Sequence, residues 1–134
     1  MLSNHRIQLT LEEMKEISRI DMALYNERGK LLAATFDQRE DLEAAVVNFS
    51  DSMAESQMLA GSHFFKVFVE DEVNYILLVK SSTEEAYMVG KLAVCQIRNL
   101  AEAYREQFDR NNFMQNILLG NMLVVDMYNK ARKF

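Results

Sequence analysis

From Thr83 to Phe134 the chain is composed almost wholly of residues that favour helix, and this run limits what the rest can fold into, because its apolar surface needs cover. Ser82 can cap a helix with Glu85 at its third position, the chain contains no proline, and Gly90 is the one weak helix former before Arg110. Val89, Ala93, Ile97, Leu100, Tyr104 and Phe108 recur at threes and fours with Lys91, Arg98, Glu102, Arg105 and Glu106 between them, so one stripe is expected to be buried. Asp109, Arg110, Asn111 and Asn112 interrupt that register, and the pattern predicts a break or kink there. Beyond it, Phe113, Met114, Ile117, Leu118, Leu119, Met122, Leu123, Val124, Val125, Met127 and Tyr128 leave hardly any face polar. Interrupted by Gly120 and Asp126, the segment falls short of the ~20 apolar residues that span a bilayer. It is expected to pack on a second copy of the chain or on a further domain, with folding back onto its own domain as the alternative. For the homodimer the expected contacts are Phe113, Ile117, Leu118, Leu123, Val124 and Tyr128.

A chain of 134 residues, 49% hydrophobic and 26% charged, suits one soluble globular domain with a real core. The formal net charge of -5 argues against a direct nucleic-acid surface, which needs clustered Lys and Arg. Cys95 is the only cysteine, so no intrachain disulfide or cysteine-based metal cluster is expected, and a reducing, cytoplasmic setting is. Met1 to Thr10 lacks the apolar core of a signal peptide, and neither export nor membrane insertion is predicted.

Before Thr83 the periodicity changes several times. Thr10 with Glu13 forms a capping box, and Leu9, Leu11, Met14, Ile17 and Ile20 predict a short amphipathic helix from about Leu11 to Arg19, with His5 in a frayed N-terminus. Met22–Tyr25 and Leu31–Phe36 flank the turn Asn26-Glu27-Arg28-Gly29, a hairpin signature. Asp37, with Glu40 three residues on, is expected to start a helix that buries Leu42, Ala45, Val46 and Phe49, and Asp51 to Ser56 reads as a mobile loop. Strands are predicted at Gln57–Ala60, His63–Val69 and Asn74–Lys80, with the acidic turn Glu70-Asp71-Glu72 between the last two. Apolar on both faces, Asn74–Lys80 belongs in the centre of a sheet.

This order predicts an α+β fold: a PAS-like or profilin-like antiparallel five-stranded sheet flanked by helices, with a long C-terminal helix and helical connector. A roadblock-type fold stays open beside it. Residues 1–110 are expected to form the domain and 111–134 the connector and dimerisation segment.

The familiar catalytic motifs HExxH and GxSxG, a Walker-type loop and GxGxxG do not occur in the sequence, so an enzyme is not expected, nor a cofactor. His63 could donate to an anionic ligand or change charge near neutral pH, although a surface or edge histidine is the plainer reading. Tyr25 and Tyr75 carry an apolar body and a polar tip, so either could line a cavity with His63 and Phe65; core packing is their alternative. Lys66 is expected in solvent. Glu70, Asp71 and Glu72 read as a solvated turn and no metal site is expected. Cys95 is expected beside the buried stripe as an inert small hydrophobe.

Two stretches carry a family resemblance. Asp21 to Phe36, DMALYNERGKLLAATF, is similar to the opening hairpin of bacterial PAS-like sensor domains. Phe108 to Phe134, FDRNNFMQNILLGNMLVVDMYNKARKF, resembles the connector before the middle domain in transcription regulators of the carbohydrate-diacid regulator (CdaR/PucR-like) family. At Asp37-Gln38-Arg39-Glu40-Asp41 the sequence departs from the Gly- and His-bearing stretch that accompanies diacid recognition in that family. The resemblance implies a regulatory domain that senses a small-molecule effector, and a connector that passes the signal to an attached DNA-binding domain. The alternative is a ligand-free dimerisation scaffold of roadblock or profilin type.

Overall fold

A strand that is apolar on both faces needs a neighbour on each edge and a helix over each side, and residues 72–79 form such a strand. In the computed structural model, which describes residues 3–37, 42–59 and 61–133 with side chains as far as 119, Tyr75 to Val79 are all buried. The elements follow in the order α1 (Asn4–Ser18), β1 (Met22–Asn26), β2 (Leu31–Ala34), α2 (Glu43–Asp51), β3 (Ser56–Leu59), β4 (Ser62–Val69), β5 (Glu72–Val79) and α3 (Glu84–Lys133). The strands make one five-stranded antiparallel sheet in the order β2-β1-β5-β4-β3, with β5 in the middle. Period-two alternation then divides the core between the two faces. Met22, Leu24, Phe65, Val67, Leu77 and Val79 join Ile7 and Leu11 of α1 and Ala86, Ala93 and Ile97 of α3. Ala23, Tyr25, Phe64, Ile76 and Leu78 meet Val46 and Phe49 of α2 on the other side. The α+β fold expected from the sequence is the one observed.

α3 meets the sheet through small residues. Ala86, Gly90, Ala93, Ile97 and Ala101 are buried, Val89 and Leu100 are half-buried, and Tyr104 and Phe108 are exposed. The buried stripe is thus turned from the expected one toward alanine and glycine, which let the helix backbone come close to the strands.

The helix starts differ from those expected. α1 begins at Asn4 rather than Leu11, because Ser3 Oγ accepts from Arg6 N (3.2 Å) and caps an earlier turn. Thr10, expected as the cap, is buried inside the helix and donates to Arg6 O (3.0 Å). Once a turn is capped, each added residue gains a bond at little cost, so the earlier of two competent caps wins. The start expected at Asp37 is also displaced: Asp37 is not helical, Glu40 lies outside the described residues, and α2 is capped by Leu42 with no side-chain bond. Thr83, not Ser82, caps α3, its Oγ1 accepting from Ala86 N (3.1 Å). The break expected over Asp109–Asn112 is absent, and α3 runs through these residues as helix. All four keep their N–H groups, so losing apolar register there changes what the helix can bury without removing a backbone bond. The predicted strand end at Ala60 lies outside the described residues. The chain forms two compact units, Met1–Glu102 and Ala103–Phe134.

The two sheet edges are finished differently. Gln8 of α1 donates through Nε2 to Ala34 O (2.7 Å) and accepts at Oε1 from Ala34 N (3.0 Å), so one side-chain amide occupies both main-chain groups of Ala34 at the outer edge of β2. Beside it, Asp21 pairs with Lys15 (2.7 Å) and accepts from Thr35 Oγ1 (2.9 Å), and that hydroxyl accepts in turn from Met22 N (3.0 Å). Gly29, at φ +87°, closes the β1–β2 hairpin; a Cβ there would lie 2.8 Å from Glu43 Cγ of α2.

Two outcomes are expected. Ile97→Asp should lower stability by about 3 kcal/mol or more by burying an unpaired charge, and a chemical-denaturation midpoint matching the parent would contradict the packing of α3. The hydrogen bond from Lys15 holds the Asp21 carboxyl below the usual carboxylate range against the opposing effect of burial, with further lowering from the Thr35 hydroxyl and the charges of Lys15 and Lys80. Because this pKa is lower in the folded state, the contribution is present above about pH 4 and fades as pH falls through the folded value. Asp21→Asn should therefore lose about 1 kcal/mol at neutral pH and show a flatter stability profile below pH ~4 than the parent.

Candidate interaction surfaces

The four residues expected to line a ligand cavity do not all come together: the rings of His63 and Phe65 meet, 5.8 Å apart, while Tyr25 and Tyr75 lie elsewhere. Tyr25 pairs with Ile76 across β1 and β5, so its side chain lies with Val46 and Phe49 on the α2 face. Phe65 and Tyr75 lie on the opposite face, in the core shared with α1 and α3. Tyr75 stands opposite Val67 and His63 opposite Val79, which puts them four residues apart along β5, about 13 Å. Burial pushes the Tyr75 hydroxyl above its ordinary pKa, with the charge of Glu27 acting in the same direction.

His63 is buried rather than at the surface or an edge. Its Nδ1 lies 3.1 Å from Ser81 O and donates to it, and the ring sits 5.8 Å from both Phe65 and Tyr87. Phe65 and Tyr87 in turn lie 5.7 Å apart, completing a ring cluster under the first turns of α3. Gly90 closes this cluster from above, since a Cβ at that position would overlap the Phe65 ring. The site is packed aromatic against aromatic, and it anchors α3 to β4.

Lys66, expected in solvent, is buried on the other face. Its Nζ donates to Ser52 O at the end of α2 and lies 5.4 Å from the centre of the Phe49 ring. The ammonium thus meets the negative end of a helix and the face of an aromatic ring, which lets a charged strand residue face inward. Glu70 and Asp71 both take positive φ (53° and 67°) in the two-residue turn joining β4 to β5, and among the described residues no group of three or more His, Cys, Asp or Glu could hold a metal. Cys95 is exposed on α3, with Asn99 Nδ2 3.8 Å from its sulfur, instead of packed beside the stripe.

The surfaces open to a partner are apolar. Among the described residues β3 pairs only with β4, and Met58 and Leu59 are exposed along it. Met88 and Leu92 are exposed on the sheet-packed part of α3. In the unit Ala103–Phe134, Phe113 is 65% exposed, Met114 53%, Ile117 41%, Leu118 58% and Leu119 58%. Three of the six expected dimer contacts, Phe113, Ile117 and Leu118, are thus accessible, while the side chains of Leu123, Val124 and Tyr128 lie outside those described. Met114 and Leu119 belong to the same surface; their signal in the sequence was the apolar character of every face. Among the described residues no helix is long and apolar enough to cross a membrane.

No protein-family model matches this sequence, and neither does any curated protein sequence. Solved structures do match. The Myxococcus xanthus MglB structure is 12% identical with a TM-score of 0.54, over 77% of this chain and 94% of that one. A structure described as MglB with tetrameric arrangement is 13% identical with a TM-score of 0.54, over 75% of this chain and 90% of that one. At such identities the likeness concerns the fold alone, which is of the roadblock/profilin-like α+β type.

The aromatic cluster yields a test of how α3 is held. Exposed helix interiors normally gain about 1 kcal/mol when Gly becomes Ala. Gly90→Ala should instead destabilise by about 1–3 kcal/mol, because the added methyl forces the Phe65 ring off its rotamer, and Phe65→Leu in the same chain should recover part of that loss. A thermal melt in which Gly90→Ala is more stable than the parent would contradict the close approach.

Proposed function

We propose that this chain is a self-associating scaffold domain, a roadblock/profilin-like sheet that brings copies of itself together through the C-terminal part of α3. The observation that carries this reading is the exposure of Phe113, Met114, Ile117, Leu118 and Leu119 within seven residues of one helix. At about 25 cal/mol per Å² of apolar area, covering each such side chain contributes on the order of 1 kcal/mol or more, and a second copy offers the same patch to the first. The MglB structure with a tetrameric arrangement supports the reading, since it is an assembly built on this fold.

A second reading, a small-molecule sensor feeding an attached DNA-binding domain of a CdaR/PucR-like regulator, draws on the same segment. Residues 108–133 are helical throughout, as a connector between domains requires. This reading differs in needing a ligand that binds two states of the domain unequally. A metabolite that raises the melting temperature of the chain would favour it.

Sedimentation of the full chain over a range of micromolar concentrations tests the scaffold. The parent should sediment as more than one chain, and the triple substitution Ile117→Glu, Leu118→Glu, Leu119→Glu should reduce it to a monomer with an unchanged melting temperature for the sheet. A monomeric parent, or a triple variant that associates as the parent does, would contradict the proposal.

A further inference from the structure

Apart from the self-association proposed above, we infer that α2 is a strap across the second face of the sheet, latched by Lys66, that opens while α1, α3 and the sheet stay folded. The sheet separates two cores, so the side chains under α2 are not those under α1 and α3. On the α1 and α3 side Ile7, Leu11, Ala86, Ala93 and Ile97 are all buried. α2 brings two buried side chains, Val46 and Phe49, with Leu42 and Ala45 half-buried beside them. Lifting α2 therefore breaks contacts on one face of the sheet and leaves the other face intact.

α2 has little of its own to hold it in place. It is nine residues long, shorter than the about 12 residues that an isolated helix needs in water. Its start has no side-chain cap, because Leu42 stands at that position. Its last turn has no basic residue and ends on Asp51, so the helix supplies nothing to balance its own negative end. That charge comes from the sheet. Lys66 is buried, donates from Nζ to Ser52 O, and lies 5.4 Å from the centre of the Phe49 ring. One strand residue thus grips both the last buried side chain of α2 and the carbonyl just past its end. Its main chain marks where the strap stops, the Lys66 N–H donating to Glu55 O (3.0 Å) beside β3. Closing takes the ammonium out of water and opening returns it, so the net hold of the latch is a difference between two large effects. With α2 lifted, Phe64, Ile76 and Leu78 form an apolar face that the closed domain keeps covered.

Thiol labelling of the full chain under native conditions tests this. One chain carries Cys95→Ser, Val46→Cys and Ile97→Cys together, both new thiols at positions buried in the parent, and mass spectrometry after digestion reads each site separately. The site at 97 reports on α3 leaving the sheet, and the site at 46 on α2. The site at 46 should react at least about tenfold faster than the site at 97. Adding Lys66→Ala should speed the first by roughly tenfold or more and leave the second unchanged. Because both thiols sit in one chain, a substitution that merely lowers overall stability speeds both alike. Hydrogen exchange of the unsubstituted chain should give the same order, with the amides of α2 less protected than those around Ile97. Equal rates at the two sites, or equal protection of the two helices, would overturn the strap. A Lys66→Ala variant that speeds both sites alike, or neither, would overturn the latch.

Discussion

β5 has no polar face over Tyr75 to Val79, and nearly every other placement in the domain answers to that fact. Its two edges take β1 and β4, and its two faces require helices on both sides. Because alternate residues point to opposite faces, Leu77 and Ile76 assign their neighbours to different sides: Leu24 and Phe65 go with the first, Tyr25 and Lys66 with the second. A slip of one residue in this register would exchange the two cores and place Lys66 under α3. The bond from Lys66 to Ser52 and its position over Phe49 are available only on the α2 side, so the buried lysine helps to fix the register.

The peripheral elements handle the polar groups that a sheet leaves over. β2 is met at Ala34 by Gln8, whose amide donates and accepts as a neighbouring strand would, and the Lys15–Asp21–Thr35 network holds the end of α1 against the same hairpin. β3 has an apolar and exposed border instead. The domain is thus closed on one side and open on the other, while the unit from Ala103 onward offers apolar side chains of its own. In the self-association proposed above, the side chains that would meet a second copy are different ones from the groups that hold the sheet together.

Much of this was legible in the sequence, and for identifiable reasons. The strands announced themselves through β-branched and aromatic runs, and the two-sided apolar character of Asn74–Lys80 put that strand in the centre. Helix starts were less legible, since Ser3 and Thr10, or Ser82 and Thr83, are equally competent caps and only the packing decides between them. The candidate site was the least legible. Placing Tyr25 apart from Tyr75 requires knowing that it stands opposite Ile76, and register is a property of two strands that neither sequence contains alone. The inward turn of Lys66 depends on where α2 ends, and the burial of His63 on where α3 begins. The exposed segment of α3 was readable because its signal was local: too many apolar residues for one stripe.

Gly90 carries a last consequence, for the order in which the structure forms. A glycine in mid-helix weakens the first turns of α3 by about 1 kcal/mol as an isolated segment, so this part of the helix has little reason to persist before the Phe65 ring is in place beneath it. The ring, in turn, finds its seat only where the helix lacks a side chain. Each half of the contact is incomplete without the other, although 25 residues of sequence separate them. Such mutual dependence ties α3 and the sheet of the Met1–Glu102 unit to each other more strictly than helix propensity alone would.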